Sequence, residues 1–226
     1  MRISVIALIL MVFNFSLLNL AYANFNISPL SQSIDVKKKS ASFTLENMTN
    51  QKAAYEVQAY ARNLDSDGEE VRTKTKEIRV FPSKIILEPK QKKRIKVLYL
   101  GKKSIGKEKA YRIVFMQTDR NVSEDDPQGL NAKFNFHTAF YVTPKDAQAR
   151  LTSNLEQYGK NTYLSLSNTG SKHAILQDWQ LKLSSGAQSA VYESPLPDVN
   201  MLADTQIRIP LSQQAHKYQT AEIITK

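Results

Sequence analysis

The feature that most limits what this chain can fold into is a two-residue rhythm. After the N-terminal leader, short runs alternate apolar with polar side chains and favour Val, Ile, Tyr, Phe and Thr. No apolar stripe with the roughly 3.6-residue period of a helix runs through them. Successive side chains on a strand point to opposite faces, so such runs half-bury themselves only as β structure. The clearest are Ser42 to Glu46, Ala54 to Arg62, Lys76 to Phe81, Lys93 to Leu100, Ala110 to Gln117 and Lys133 to Thr143. In the Lys93 run, Ile95, Val97 and Tyr99 share one face and Arg94, Lys96 and Leu98 the other, the pattern of a half-buried antiparallel strand. The chain reads as all-β.

The turns between runs have their own chemistry. Asp65-Ser66-Asp67-Gly68 reads as a hairpin tip, because Asp and Ser bond their own backbone and Gly takes a positive φ. Pro82 and Pro89 bracket Ile85-Ile86-Leu87, and proline donates nothing to a sheet ladder, so this piece is an edge strand or the crossing between two sheets. Six or seven strands by Thr143 make one immunoglobulin-like sandwich. Pro144-Lys145-Asp146 breaks the pattern, and a more polar set follows: Arg150 to Ser153, Tyr163 to Asn168, His173 to Lys182 and Thr205 to Leu211. No internal repeat is evident.

The leader itself is read as a signal peptide. Arg2 is a short basic start, Ile3 to Leu20 is almost wholly apolar, and Ala21-Tyr22-Ala23 offers the small residues a signal peptidase accepts, so cleavage is expected after Ala23. The expected division is residues 1–23 signal peptide, 24–143 an N-terminal immunoglobulin-like domain and 144–226 a C-terminal β-sandwich domain. The 226-residue chain then leaves enough length for two domains that each bury a core. It holds no cysteine, so those cores are stabilised by packing alone.

A net charge of +10 raises the question of nucleic acid, with Lys and Arg crowded between Arg72 and Lys109. Modules of that kind interleave cations with stacking aromatics or align them on one helix, and neither pattern is present. Anionic lipid or a partner's carboxylate accounts for the charge equally well. Catalytic chemistry is equally thin: no Gly-x-Ser-x-Gly elbow, no glycine-rich phosphate loop, and His137, His173 and His216 without ligand spacing. Glu124-Asp125-Asp126 lacks the alternation of a calcium loop and reads as part of a solvated connection. No cofactor, metal or catalytic residue is expected. The Asn47-Met48-Thr49 and Asn121-Val122-Ser123 sequons carry no weight.

One strand stands apart. In the run Leu130 to Thr143, Leu130, Ala132, Phe134, Phe136, Thr138 and Phe140 share a face, while Asn131, Lys133, Asn135 and His137 share the other. Either the apolar row is core, or part of it is held at a sheet edge for insertion into another protein's incomplete sheet. In that second mode backbone bonds give affinity and alternate side chains give register. An edge of that kind needs a partner to cover it.

Phe81-Pro82, Leu87-Glu88-Pro89-Lys90-Gln91, the alternating Arg94 to Leu100 strand and Lys107-Glu108-Lys109-Ala110-Tyr111-Arg112-Ile113 resemble, in order and spacing, the first-domain signature of periplasmic PapD-like pilus-assembly chaperones. Leu45-Glu46-Asn47 is similar to that family's early strand ending in Asn, and Tyr163 to Gly170 extends the likeness into the second half. The resemblance implies two immunoglobulin-like domains in an L or boomerang arrangement. Such a protein caps a pilus or fimbrial subunit in the periplasm, lends it the G1 strand, and hands it to an outer-membrane usher. It also admits self-capping as a homodimer. Leu130, Ala132, Phe134 and Phe136 are then the donor side chains, and Phe140 and Val142 are core. The positions where well-known members carry an Arg and a Lys for the subunit's terminal carboxylate fall here near Ser31 or Gln32 and at Ala139. This departure places the chain near an archaic or alternate branch, with Arg112 and Lys133 as replacement cations. The alternative is a pilus structural subunit or surface adhesin of similar sandwich fold.

Overall fold

The computed structural model describes residues 25–120 and 134–225. The leader with its expected cut, and Leu130, Ala132 and Lys133, lie outside the described residues. Ten strands form the first sandwich: β1 (Phe25–Ser28), β2 (Ser31–Asp35), β3 (Ser40–Asn47), β4 (Ala53–Leu64), β5 (Glu70–Lys74), β6 (Ile78–Phe81), β7 (Lys84–Leu87), β8 (Lys92–Tyr99), β9 (Lys109–Arg120) and β10 (Asn135–Thr143). They make two sheets, β1-β3-β8-β6 and β2-β10-β9-β4-β5. The long β4 pairs with β7 along its first half and with β5 along its second. Thus Ile85-Ile86-Leu87 is an edge strand, with Ile85 and Leu87 in the core and Ile86 facing out.

Alternation sets the core. Phe43, Leu45, Ile95 and Val97 from the first sheet meet Tyr55, Val57, Tyr111, Ile113, Phe115, Phe140 and Val142 from the second, all buried. Each such side chain contributes about 1.5–3 kcal/mol by leaving water. The hairpin tip forms as its residues dictate: Asp65 Oδ1 accepts from the N–H groups of Asp67 and Glu69, and Gly68 takes φ 86°.

The second sandwich comprises β11 (Leu151–Tyr158), β12 (Asn161–Asn168), β13 (Ala174–Leu176), β14 (Gln180–Ser185), β15 (Gln188–Val191), β16 (Val199–Met201), β17 (Thr205–Leu211) and β18 (Thr220–Ile224). Its sheets are β11-β12-β17, β13-β16 and β15-β14-β18. The expected single strand from His173 to Lys182 is in fact two, β13 and β14, on different sheets. The chain bends between them, with Asp178 at φ 49°, so that Trp179 enters the core and donates its Nε1–H to Pro197 O at 2.9 Å. Burying an indole that has a hydrogen-bond partner outweighs continuing a strand.

The two sandwiches share one structural device. Buried Asn47 ends β3 and donates its amide to the carbonyls of Gln51, Leu87 and Glu88, while its Oδ1 accepts from Thr49 N–H. Buried Asn168 ends β12 and does the same with Lys172, Met201 and Leu202, its Oδ1 accepting from Gly170 N–H. A repeat is therefore present, confined to Leu-x-Asn at a strand end, too short for self-similarity in sequence to expose.

The sandwiches are tied together at several points. Glu108 Oε1 accepts from His173 N–H at 3.0 Å and from its ring nitrogen at 2.5 Å, while Oε2 accepts from Thr143. Tyr141 stacks on the His173 ring, centroids 4.0 Å apart, and Asn200 donates to its hydroxyl. Lys107 pairs with Asp204. The hairpin tip accepts Arg208 N–H at Ser66 O. Leu202 packs with Ala139 and Tyr141 in a small apolar cluster between them.

Candidate functional site

β10 changes character along its length. From Thr138 to Val142 both faces are buried: Phe140 and Val142 enter the first core, and Ala139 and Tyr141 turn toward the second sandwich. From Asn135 to His137 it lies near the surface. The reason is β2, which pairs in parallel with Ala139 to Thr143 and stops there. Between Asn135 and Thr138, among the described residues, β10 is hydrogen-bonded to β9 alone.

The free edge has a definite polarity. Phe134 O accepts from Gln117 N on β9 at 3.1 Å, and Ala139 N donates to Leu30 O on the opposite side at 3.0 Å. The two-residue period then turns the N–H and C=O of Asn135 and His137 away from β9, to a side where no described strand pairs with them. An incoming strand finds two donors and two acceptors there. Phe134 is 41% exposed beside this edge, and Leu30, 66% exposed, flanks its other end. Phe136 is placed differently: it packs edge-on against Phe25 of β1, centroids 4.4 Å apart, at the rim of the core.

Ser31 and Ala139 are Cα partners across β2 and β10, so the two positions that lack the expected cations adjoin in space. On the other side of Ala139 its partner is Arg112 of β9. Arg112 belongs to a cluster on the outward face of this sheet. Glu70 of β5 receives Arg62 Nε at 2.6 Å, Arg72 Nε at 2.5 Å, and Arg112 through Nε at 2.8 Å and Nη2 at 2.5 Å. Three guanidinium charges against one carboxylate leave a local excess of two positive charges. Burial pushes the Glu70 carboxyl up, but hydrogen bonds from Arg112 and Arg72 prevail and hold it at about 2. Arg62 continues to the Tyr141 hydroxyl at 3.3 Å, which links the cluster to the interface between sandwiches.

His137, on the free segment, closes the other side. Arg72 Nη1 donates to its Nδ1 at 2.8 Å, and burial together with the charges of Arg72 and Arg112 pulls its pKa down. The neutral ring leaves the positive excess facing solvent without adding to it. The strand edge, exposed Phe134 and the surplus cations thus belong to one sheet, with Phe134 on the core-facing side of β10 and the arginine cluster on the outward face. The chemistry of this arrangement suits an extended chain, apolar at alternate positions and anionic at one end.

Of the residues singled out from sequence, the structure brings Phe134, Phe136 and Arg112 to this sheet. It adds Arg62, Glu70, Arg72, His137 and Leu30. A turn confined to Asp65 to Gly68 would pair Leu64 with Glu69, whereas Asp65 N–H bonds Glu69 O and the register pairs Leu64 with Glu70 and Arg62 with Arg72, so no sequence signal singles out the first three.

Residues 25–148, more than half of the chain, match the family model described as pili and flagellar-assembly chaperone, PapD N-terminal domain. No curated protein matches significantly. Among solved structures, a chain of the CsuC–CsuE chaperone–tip adhesion subunit pre-assembly complex, from archaic chaperone-usher Csu pili of Acinetobacter baumannii, is similar over 89% of this chain and 97% of its own. Its identity is 18% and the TM-score 0.66. A chain from a chaperone–tip adhesin complex of CFA/I fimbriae biogenesis covers 89% and 98%, at 14% identity and TM-score 0.61. A chain from the Salmonella enterica SafA pilin in complex with the SafB chaperone covers 82% and 83%, at 12% identity and TM-score 0.56. At these identities the likeness establishes the fold, two immunoglobulin-like sandwiches in one chain.

Proposed function

The chain belongs to the family of pili and flagellar-assembly chaperones, and we propose that it is a periplasmic, non-catalytic member that caps a pilus or fimbrial subunit by donating β10 to it. The observation that carries this reading is the open edge of Asn135 to Thr138 with Phe134 exposed beside it. Such an edge is an aggregation hazard in a protein that leaves it bare, so a covering partner is part of its design. On this reading the apolar row runs through Leu130, Ala132 and Phe134 into the subunit's groove. Arg112, with Arg72, takes the subunit's terminal carboxylate in place of the missing pair at Ser31 and Ala139, and buried Arg62 supports them through Glu70. Lys133 is the second replacement cation of this reading. The leader directs export and is cut after Ala23, the subunit passes to an outer-membrane usher, and a second copy covers the edge when no subunit is at hand. Family membership favours this reading over a structural subunit or adhesin.

The test is co-purification from periplasm with mass spectrometry of bound chains, for the wild type and Phe134→Glu. Phe134 is exposed, so the variant keeps its circular dichroism spectrum. Wild type is expected to carry a pilin-like chain and the variant to lose it. An unchanged partner set in the folded variant excludes Phe134 as a donor side chain.

A further inference from the structure

The arginine cluster and strand edge use one sheet of the first sandwich. The outward face of the other sheet, β1-β3-β8-β6, looks away from them and belongs to no site described above. Register lays out its rows. Ser28, Thr44 and Arg94 align across β1, β3 and β8, Ser42, Lys96 and Phe81 across β3, β8 and β6, and Ser40, Leu98 and Arg79 in the next row. Lys38, Lys93, Arg94, Lys96, Phe81 and Pro82 line an open groove of about 740 Å³, with Gln32 of β2 also on its wall, and Arg79 lies outside it. The acid in these rows is Glu46, already held by Lys92 at 3.3 Å. Among the described residues, Lys38, Arg79, Lys93, Arg94 and Lys96 enter no ion pair. Phe81 stands 70% exposed directly opposite Lys96.

We propose that this face adsorbs to a bilayer surface bearing anionic headgroups. Its cations sit on flexible stems over several elements, and no carboxylate of the protein fixes them. The face therefore offers dense charge without the rigid, directional geometry a folded acidic partner is read by. A layer of laterally mobile anions complements that arrangement. An exposed aromatic among cations is the pairing that interfacial binding uses, the ring entering the headgroup boundary while the charges remain at its surface. Adsorption through this sheet leaves the β10 edge, on the opposite sheet, open to its partner.

The experiment is flotation of the chain from Asn24 onward, free of the apolar leader, with two kinds of vesicle. One is phosphatidylethanolamine containing roughly one-quarter phosphatidylglycerol, and the other is phosphatidylcholine alone. Binding is expected to the anionic vesicles only and to be released by salt. Each cation near the surface multiplies the partition by about fivefold, so Arg79→Gln, Arg94→Gln, Lys96→Gln together lower it on the order of a hundredfold. Phe81→Ala weakens binding while leaving its salt dependence. Circular dichroism confirms that these surface variants fold. Equal partition of the triple variant and wild type overturns the proposal, as does wild type that ignores anionic vesicles. Wild type that binds poly-glutamate but not vesicles also overturns it and makes the face a docking surface for acidic protein. Subunit capture by the triple variant is expected to stay at the wild-type level, so failure here is separable from failure of the chaperone reading.

Discussion

Phe136 packs edge-on against Phe25, ring centroids 4.4 Å apart, while Phe134, two residues earlier on the same face of the chain, is 41% exposed. The apolar row therefore changes role between these residues. Phe136 seals the rim of the first core, where Phe25 is fully buried, and exposed Phe134 is, on the proposed reading, the side chain that enters the subunit. Phe136→Ala is expected to destabilise the first domain by about 2 kcal/mol, below the full cost for a buried Phe because the ring is only half-buried. Phe134→Ala should stay within about 0.5 kcal/mol of wild type. Urea unfolding of both variants checks this, and equal losses would show that Phe134 too is core.

The arginine cluster makes a prediction about charge. A peptide copying the last strand of a pilin, with a free C-terminal carboxylate, should bind about tenfold more tightly than its amide, a difference on the order of one charge-assisted hydrogen bond. Arg112→Ala should abolish that preference, whereas Glu70→Gln should increase it by removing the carboxylate that competes for the same guanidinium groups. Fluorescence titration with the peptide pair decides the matter; a preference that survives Arg112→Ala places the anchor elsewhere.

The strands with strict alternation, such as Thr205 to Leu211 and Lys93 to Tyr99, were legible because one face of each is buried and the other wet. β2 was not, since Ser31-Gln32-Ser33-Ile34-Asp35 has one buried apolar residue and owes its place to pairing with β10. The break at Asp178 follows from where Trp179 finds room, a tertiary fact. At the site, Arg112 and the row ending in Phe136 could be picked out in the sequence. Arg62, Glu70 and Arg72 could not be ranked above the other charges until the hairpin register set them against Arg112. The division of labour between Phe134 and Phe136 depends on Phe25, more than a hundred residues away in the chain, and no local pattern encodes it.

Asn47 and Asn168 each hold three carbonyls at the end of a strand. Removing either amide leaves buried acceptors without partners, so Asn47→Ala and Asn168→Ala are each expected to cost about 3 kcal/mol. Asp in either place should do no better, because a carboxylate cannot donate to a carbonyl. Thermal melts test this, and the expected pattern is loss in both domains from chemically equivalent substitutions.

Acid should weaken the first domain through Glu70. Its carboxyl is held at about 2 in the fold, below the ordinary carboxylate range, so the unfolded chain binds the proton more readily. The contribution is complete above about pH 5 and is lost as pH falls toward about 2. Glu70→Gln is expected to cost about 3 kcal/mol at neutral pH, since it leaves Arg62 buried without its counter-charge. The variant should also show a flatter loss of stability between those pH values. Denaturant melts at a series of pH values measure both, and an unchanged pH dependence would mean that other carboxylates govern acid unfolding.

Glu108 tests whether the two sandwiches behave as one body. Its carboxylate is buried, and His173 bonds to it through backbone N–H and ring while Thr143 bonds the other oxygen. An ionised carboxylate only accepts, so the ring nitrogen donates, and Tyr141 stacked on that ring keeps it in plane with the interface. Burial raises the Glu108 pKa, but the bonds from His173 and Thr143 lower it further, so this link also is present at neutral pH and weakens as acid approaches the carboxylate range. Glu108→Ala removes all three bonds at once, at an expected cost of about 3 kcal/mol. Lys107 with Asp204, Asn200 with Tyr141 and Ser66 with Arg208 remain, so the variant folds but its halves uncouple. Calorimetry of wild type should give one transition and Glu108→Ala two, with small-angle scattering reporting a broader range of interdomain distances. A single transition retained in the variant would assign the coupling to the apolar contact of Leu202 with Ala139 and Tyr141.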